Sequence, residues 1–332
     1  MLSPLLPKGI FENTARIILC KYDLLCLVTY PLIEIMTRNL LNNFYALLGG
    51  KPFVIENVEP NLSNPVSQLA TKEQCDSQEF QYWLTELKPF VDSVWQEKNR
   101  VYNRKIWEWV FILQVLKVNN LLSCDAKGLG FGVGREPLVS ILAKFDCYLL
   151  ATDLESVEAL KKCWDEGGQY SFDVGDLNEY GICDEYTFLQ RVCFENVDMN
   201  HIDKKLSGYD FVYSSCALEH LGSLEKGLSF INNSLNCLKS GGIAVHTTEF
   251  NVSSNSGTIE DGATVIYRKK DIIGLAKRLT ENGHKIVLNF AHGKDVMNQH
   301  YDVPPYFQDE YHLKLLLDKY IITSIGLIIH KA

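Results

Sequence analysis

The 332 residues contain no long apolar run, no excess of positive charge, no paired cysteines, no internal repeat and no charged tail. Each absence excludes a class of protein. The most apolar stretch, Ile17 to Met36, is interrupted by Lys21, Asp23, Pro31 and Glu34, and its longest uncharged run, Leu24 to Ile33, has ten residues. A spanning helix needs roughly 20, and no small-residue cleavage site follows. The expectation is therefore no transmembrane segment. The stretch reads as helices packed against the body of the protein or a second copy of it, with peripheral membrane contact as the alternative. Thirty-two Lys and Arg against 41 Asp and Glu give a formal charge of -9, so a phosphate backbone would be repelled and nucleic acid is not an expected partner. The ten cysteines include no CxxC pair and no zinc-knuckle spacing. They read as small buried residues in a reducing, cytoplasmic setting. Histidines and acids form no HxH, HxxxH or DxD arrangement, so no metal is expected.

What remains is ordinary globular composition, 46% apolar and 22% charged, enough for a substantial core with an appended region. Residues 1–62 read as an N-terminal helical extension, stopped at Gly49-Gly50 and followed by Pro- and Asn-punctuated chain. Residues 63–120 read as a helical lead-in, with helical patterns from Glu79 to Leu87 and from Arg104 to Val118, the latter apolar on every side and so buried. From Gly128 onward short apolar runs alternate with helical patterns, the order that yields a parallel sheet covered on both faces. Seven strands are expected: Ala126–Gly130, Cys147–Asp153, Val192–Val197, Asp210–Ser214, Gly242–Thr247, Lys285–Leu288 and Ile321–His330. Helices are expected at Leu138–Lys144, Leu154–Trp164, Ser223–Leu238 and Lys270–Asn282, with a further helix after Pro304-Pro305.

The strongest motif is Gly128-Leu-Gly130-Phe-Gly132-Val-Gly134-Arg-Glu136 between a strand and a helix. Residues without Cβ allow close backbone approach and left-handed dihedrals, and the helix beyond offers N–H groups to an anionic ligand. The next strand ends in Asp153, where a carboxylate can accept from ribose hydroxyls. A dinucleotide fingerprint would need a small residue where Arg135 stands. The GxGxG spacing instead resembles the first motifs of class I S-adenosylmethionine-dependent methyltransferases, over about residues 105–331. This resemblance implies an α/β, Rossmann-like methyltransferase fold with a mostly parallel seven-stranded sheet, and residues 121–332 as the domain that binds S-adenosyl-L-methionine. It implies cofactor contacts from Gly130, Phe131, Gly132, Gly134, Glu136, Asp153 and Leu154, from Asp198 and Met199 after the third strand, and from Ser214 and Ser215 after the fourth. The family's usual acid two positions before the first turn glycine is replaced here by Gly128, so Glu136 or Glu108 is expected to take over; the plain alternative for Glu108 is a paired core carboxylate.

Methyl transfer is an in-line displacement at carbon, which requires alignment, exclusion of water and, for an alcohol acceptor, a base. His220 and His246 lie near the ends of strands four and five, where ligands of open α/β sheets bind. Glu219 and Glu249 are candidates to bind substrate hydroxyls or polarise a histidine. Strand alternation puts His246 and Thr248 on one face, Thr247 and Glu249 on the other. His292, His300, Asp302, Tyr306 and His312 crowd a polar and aromatic stretch that suits an acceptor lid, or else a rigid proline loop. The downstream motifs also resemble bacterial methyltransferases of glycan and cell-surface polysaccharide gene clusters, which implies a glycan or small-molecule acceptor. Convergence of His220 and His246 on one cavity would separate an active enzyme from an inactive cofactor-binding subunit.

Overall fold

A computed structural model describes residues 53–94, 101–154, 174–308 and 310–332. The expected N-terminal helices and nearly all of the expected helix Leu154–Trp164 lie outside the described residues. The unit beginning at Phe53 runs through β1 (Phe53–Glu56), β2 (Ser67–Leu69), α1 (Lys72–Cys75), α2 (Gln78–Val94), β3 (Tyr102–Asn103), α3 (Arg104–Val118), β4 (Lys127–Phe131), α4 (Leu138–Lys144) and β5 (Tyr148–Asp153). It continues with α5 (Glu185–Arg191), β6 (Val192–Asn196), β7 (Tyr209–Ser215), α6 (Leu224–Ser234), β8 (Leu238–Asn251), α7 (Lys269–Glu281), β9 (Lys285–Asn289), β10 (Tyr311–His312), β11 (Lys314–Leu317) and β12 (Tyr320–His330).

The main sheet has ten strands in the order β1-β9-β2-β12-β8-β7-β4-β5-β6, with β11 pairing to β12. The block β8-β7-β4-β5-β6 is parallel. β12 runs antiparallel beside β8, from Ile322 opposite Asn251 to His330 opposite Ile243. Parallel strands buried on both faces are apolar throughout, and this is why Leu129, Phe131, Phe211, Val212, Ala244 and Val245 are almost wholly shielded. One face is covered by α2, α3 and α4 and the other by α6 and α7, each with its own apolar cluster.

α3 explains its own position. Asn103 caps it by accepting the Lys105 N–H at 2.8 Å, which satisfies one of the orphan donors of the first turn. Every residue from Ile106 to Leu116 is buried. The Phe111 ring lies so close to β12 that a Cβ on Gly326 would stand 2.2 Å from it, so glycine sets the spacing between helix and sheet. Two buried indoles of this layer are paired: the Trp107 Nε1–H donates to Gln74 Oε1 at 2.9 Å and the Trp83 Nε1–H to Gln114 Oε1 at 2.8 Å.

All seven expected strands are present, and Arg104–Val118 and Leu138–Lys144 are helices as expected. Three differences have physical causes. Phe53–Glu56, read above as punctuated chain at the end of the N-terminal extension, and Ser67–Leu69, read as part of the helical lead-in, are strands: each pairs in parallel with β9, a tertiary partner that short apolar segments do not announce. The strand expected at Gly242–Thr247 extends over Leu238–Asn251, because the long β12 pairs with it to the end. Among the described residues no helix follows Pro304-Pro305; Tyr311–His312 and Lys314–Leu317 form β10 and β11 instead. The leucine-rich run there is short, and Asp318, at φ +56°, turns it back antiparallel onto β12.

Candidate functional site

The carboxyl ends of the parallel strands open onto a cavity of about 880 Å³. One wall is the glycine turn. β4 stops at Phe131, and Gly132 and Gly134 take φ +58° and +51°, values open to glycine at little cost. A Cβ at Gly132 would also lie 2.8 Å from Ala217 Cβ and 3.3 Å from Met199 Sδ. Asp153, at the end of β5, fixes the turn: Oδ2 accepts the Gly134 N–H at 3.0 Å and Oδ1 accepts the Leu154 N–H at 2.8 Å. Asp198 accepts from Asn200 N–H at 2.8 Å and meets His201 Nδ1 at 2.7 Å. Burial alone would raise its pKa, but these partners hold it below the ordinary value.

Gly128 has a steric explanation. A Cβ there would stand 2.2 Å from the Phe211 ring and 2.8 Å from Leu149, so an aromatic side chain fills the space in which an acid would begin. Gly130 is likewise pressed against the Tyr213 ring. Gly130 and Phe131 therefore form the buried base of the turn, whereas Gly132, Gly134, Glu136, Asp153, Leu154, Asp198, Met199 and Ser215 line the cavity.

The opposite wall is a buried charge cluster. Arg104 and Lys105 enter from the first turn of α3. Glu108 Oε1 accepts from Arg104 Nη1 at 3.1 Å, from the Cys216 thiol at 3.1 Å and from the Ser324 hydroxyl. Lys105 Nζ bridges Glu108 Oε2 at 3.2 Å and Glu136 Oε1 at 2.8 Å. Arg104 Nη2 reaches Glu249 Oε1 at 2.7 Å, and the Thr248 hydroxyl donates to Glu219 Oε2 at 3.0 Å. Both acids considered as substitutes at Gly128, Glu108 and Glu136, thus share one ammonium group. Burial would raise the Glu108 carboxyl, yet Lys105 and Arg104 hold it below its ordinary value. Burial pushes Glu249 up to about 7, against the pull of Arg104 and with the push of Glu219. Burial and then Glu108 raise the Cys216 thiol far above its usual range, so it stays protonated. Cys216 itself has φ +44°, a conformation costing roughly 1–3 kcal/mol for a side chain. It is held there by hydrogen bonds from its N–H to Thr247 O at 3.1 Å and to Thr247 Oγ1 at 3.2 Å. Sγ of Cys216 and one carboxylate oxygen each of Glu219 and Glu249 lie within 4.8 Å of one another.

The two histidines do not converge. His220 lines the cavity and its Nδ1 lies 2.8 Å from Ala263 O; a carbonyl only accepts, so in the neutral ring the lone pair is on Nε2. His246 is fully buried on the far face of β8, beneath Phe230 at a ring separation of 5.4 Å. Ser234 donates to Ile231 O and so accepts from His246 Nε2 at 3.3 Å, leaving Nδ1 to accept from the Ser214 hydroxyl at 2.8 Å. Burial pushes the ring down to about 3. The expected roles of His246 as a base and Ser214 as a cofactor contact are corrected accordingly: they satisfy each other in the core. Alternation along β8 sends Glu249 to the cavity and His246 away from it.

Sequence reasoning gave no role to Arg104, Lys105 or Cys216: the first two are a charged pair opening a largely apolar helix, and Cys216 stands in the Ser-Ser-Cys-Ala-Leu-Glu-His segment that resembles the family's fourth motif. From the crowded tail, Tyr306 and His312 line the cavity. His312 Nδ1 meets Asp302 Oδ2 at 2.7 Å, and its ring lies 4.0 Å from that of Phe307. Asp302 also accepts the Phe307 N–H at 2.7 Å.

No protein-family profile and no curated protein matches the chain. Among solved structures it is similar to magnesium protoporphyrin IX methyltransferase from Synechocystis PCC 6803 with bound SAH, at 13% identity over 79% of this chain and 98% of that one, TM-score 0.44. It is also similar to an S-adenosylmethionine-dependent methyltransferase from Clostridium acetobutylicum ATCC 824, at 13% identity over 75% and 99%, TM-score 0.37. Likenesses of this degree decide neither fold nor chemistry, which rest on the strands and side chains described above.

Proposed function

We propose that the chain is an S-adenosyl-L-methionine-dependent methyltransferase acting on a hydroxyl of a sugar or glycan precursor. The observation that carries the reading is the glycine turn clamped by Asp153 at the mouth of the cavity. The cradle fits the cofactor: Gly132 leaves open the surface that a Cβ would fill. A carboxylate has about four acceptor sites, so Asp153 can receive ribose hydroxyls while holding Gly134. Asp198 and Met199 border the same wall, where an adenine would lie. The volume stands near the upper end of small-molecule sites, which leaves room for an acceptor.

When bound, the cofactor supplies a methyl group on sulfonium. The chain's own task is to align the acceptor oxygen and take its proton. His220, which lines the cavity, serves as the base, and Glu219 and Glu249 accept hydrogen bonds from neighbouring hydroxyls. A bond forms from oxygen to the methyl carbon as the carbon–sulfur bond breaks, and the hydroxyl proton passes to His220. A small metabolite with a hydroxyl or amine fits the same scheme. One observation favours a different reading, an inactive cofactor-binding subunit: His246 is walled off in the core.

Calorimetric titration with S-adenosylmethionine and S-adenosylhomocysteine tests the proposal. Micromolar binding is expected, weakened about 10- to 100-fold in Asp153→Ala by loss of charge-assisted hydrogen bonds. Folded wild type that binds neither compound overturns it. Methyl transfer to a panel of sugar nucleotides and glycans, lost in His220→Ala, separates the enzyme from the inactive subunit.

A further inference from the structure

The charge cluster is not balanced by its own residues. Four carboxylates, Glu108, Glu136, Glu219 and Glu249, face two cations, Arg104 and Lys105. Lys105 spans Glu108 and Glu136, while Arg104 spans Glu108 and Glu249. Two negative charges are left over: among the described residues Glu219 has no ion pair, and Glu249 shares Arg104 with Glu108. These residues are 0% and 5% exposed, and both line the cavity. Each has one oxygen engaged, Glu219 Oε2 by Thr248 and Glu249 Oε1 by Arg104. The other oxygens, Glu219 Oε1 and Glu249 Oε2, are buried without a hydrogen-bond partner among the described residues. An unpaired buried carboxylate oxygen is costly, so one on each of two residues that line the same cavity and bring carboxylate oxygens within 4.8 Å of each other points to a ligand.

We infer that Glu219 and Glu249 together hold a divalent cation of the magnesium or manganese type at the floor of the cavity. One dication cancels the two surplus charges. The donor set selects a hard ion, because the two carboxylates offer oxygen, whereas the Cys216 thiol at the third corner is spent as a donor to Glu108 and offers no thiolate. Two protein ligands leave most of an octahedral shell to water or to oxygens of the acceptor, and a pair of neighbouring hydroxyls is the group that chelates such an ion. The catalytic use of the ion rests on the methyltransferase reading: a coordinated hydroxyl is more acidic, and its proton still passes to His220. The binding site itself does not depend on that reading.

The test is electron paramagnetic resonance of Mn²⁺ titrated into the full-length protein without cofactor, supported by calorimetry with Mg²⁺. One saturable site is expected, with affinity reduced at least tenfold in Glu219→Gln and in Glu249→Gln. Asp153→Ala should bind Mn²⁺ as wild type does while losing S-adenosylmethionine, which separates failure of the ion site from failure of the methyltransferase reading. In wild type, bound Mn²⁺ should broaden the NMR signals of Thr248 and His220, a readout that needs no variant. Absence of Mn²⁺ binding by the folded wild type, affinity unchanged in both glutamine variants, or broadening confined to surface acids overturns the inference. An acceptor amine that binds through Glu219 and Glu249 and is not displaced by Mn²⁺ also overturns it.

Discussion

The two walls of the cavity are built on different plans. The glycine wall is backbone: Gly132 and Gly134 in left-handed conformations, with Asp153 bonded to main-chain N–H groups. The facing wall is side chain, assembled from α3, the strand ends at Ser215 and Glu249, and the tail around His312. A backbone wall recognises shape and hydrogen-bond pattern with little freedom to change. A side-chain wall can vary its charge and reach, which is where the proposed function puts acceptor specificity. The comparison predicts that damage to the facing wall spreads by electrostatics, whereas damage to the glycine wall is steric and local.

The largest effect is expected from Glu108→Ala. Glu108 holds Arg104, Lys105, Cys216 and Ser324 at once, and removing one member of a buried ionic network leaves the rest uncompensated, at about 3–5 kcal/mol. Chemical denaturation should show that loss, with Glu108→Gln losing less; an Ala variant as stable as wild type would mean that the cluster is well hydrated. Gly128→Ala comes next. It drives a Cβ into the Phe211 ring, an overpacking cost of roughly 1–3 kcal/mol, and Phe211→Leu should recover part of it. Failure of that rescue would place the strain elsewhere in the turn.

What the sequence disclosed follows the same division. The glycine wall lies within one strand–turn–helix–strand segment, so Gly130, Gly132, Gly134 and Asp153 were readable from spacing and strand ends alone. The facing wall joins Arg104 to Glu249 and Ser324 to Glu108, contacts between residues more than a hundred positions apart that no local pattern encodes. Alternation along β8 correctly paired His246 with Thr248 and Thr247 with Glu249, but which pair meets the cavity depends on α3 lying on one face and α6 on the other. The missed strands β1, β2 and β11 failed for a related reason: each is short and acquires its conformation from a neighbour in the sheet.

His246 turns this misassignment into a measurable pH dependence. Its pKa is pushed down to about 3 by burial, against an ordinary 6.5. Below pH 6.5 the unfolded chain binds a proton that the folded chain refuses until about pH 3, so stability falls as pH drops through that window. One proton corresponds to a slope of about 1.4 kcal/mol per pH unit. Urea denaturation between pH 6 and 4 should show this slope added to the carboxylate contributions, and a His246→Gln variant should lose that share. An unchanged slope in the variant would mean that His246 is protonated in the core, contrary to its tautomer between Ser214 and Ser234.

Asp302→Asn probes the independence of the walls with the smallest expected change. Asp302 Oδ2 accepts from both His312 Nδ1 and the Phe307 N–H, and the Asn oxygen can accept from the same two donors, so the geometry is preserved and only the charge is removed. Burial would raise the Asp302 carboxyl, but the Phe307 N–H and His312 hold it below its ordinary value, so the carboxylate is the form the fold stabilises. Its loss should cost about 1 kcal/mol, visible as a small drop in melting temperature. Since the hydrogen bonds of Asp302 to His312 and Phe307 tie the tail to itself, the affinity for S-adenosylhomocysteine should stay within about twofold of wild type. A tenfold loss would show that the tail around His312 orders the glycine wall, and the division into a backbone wall for the cofactor and a side-chain wall for the acceptor would have to be abandoned.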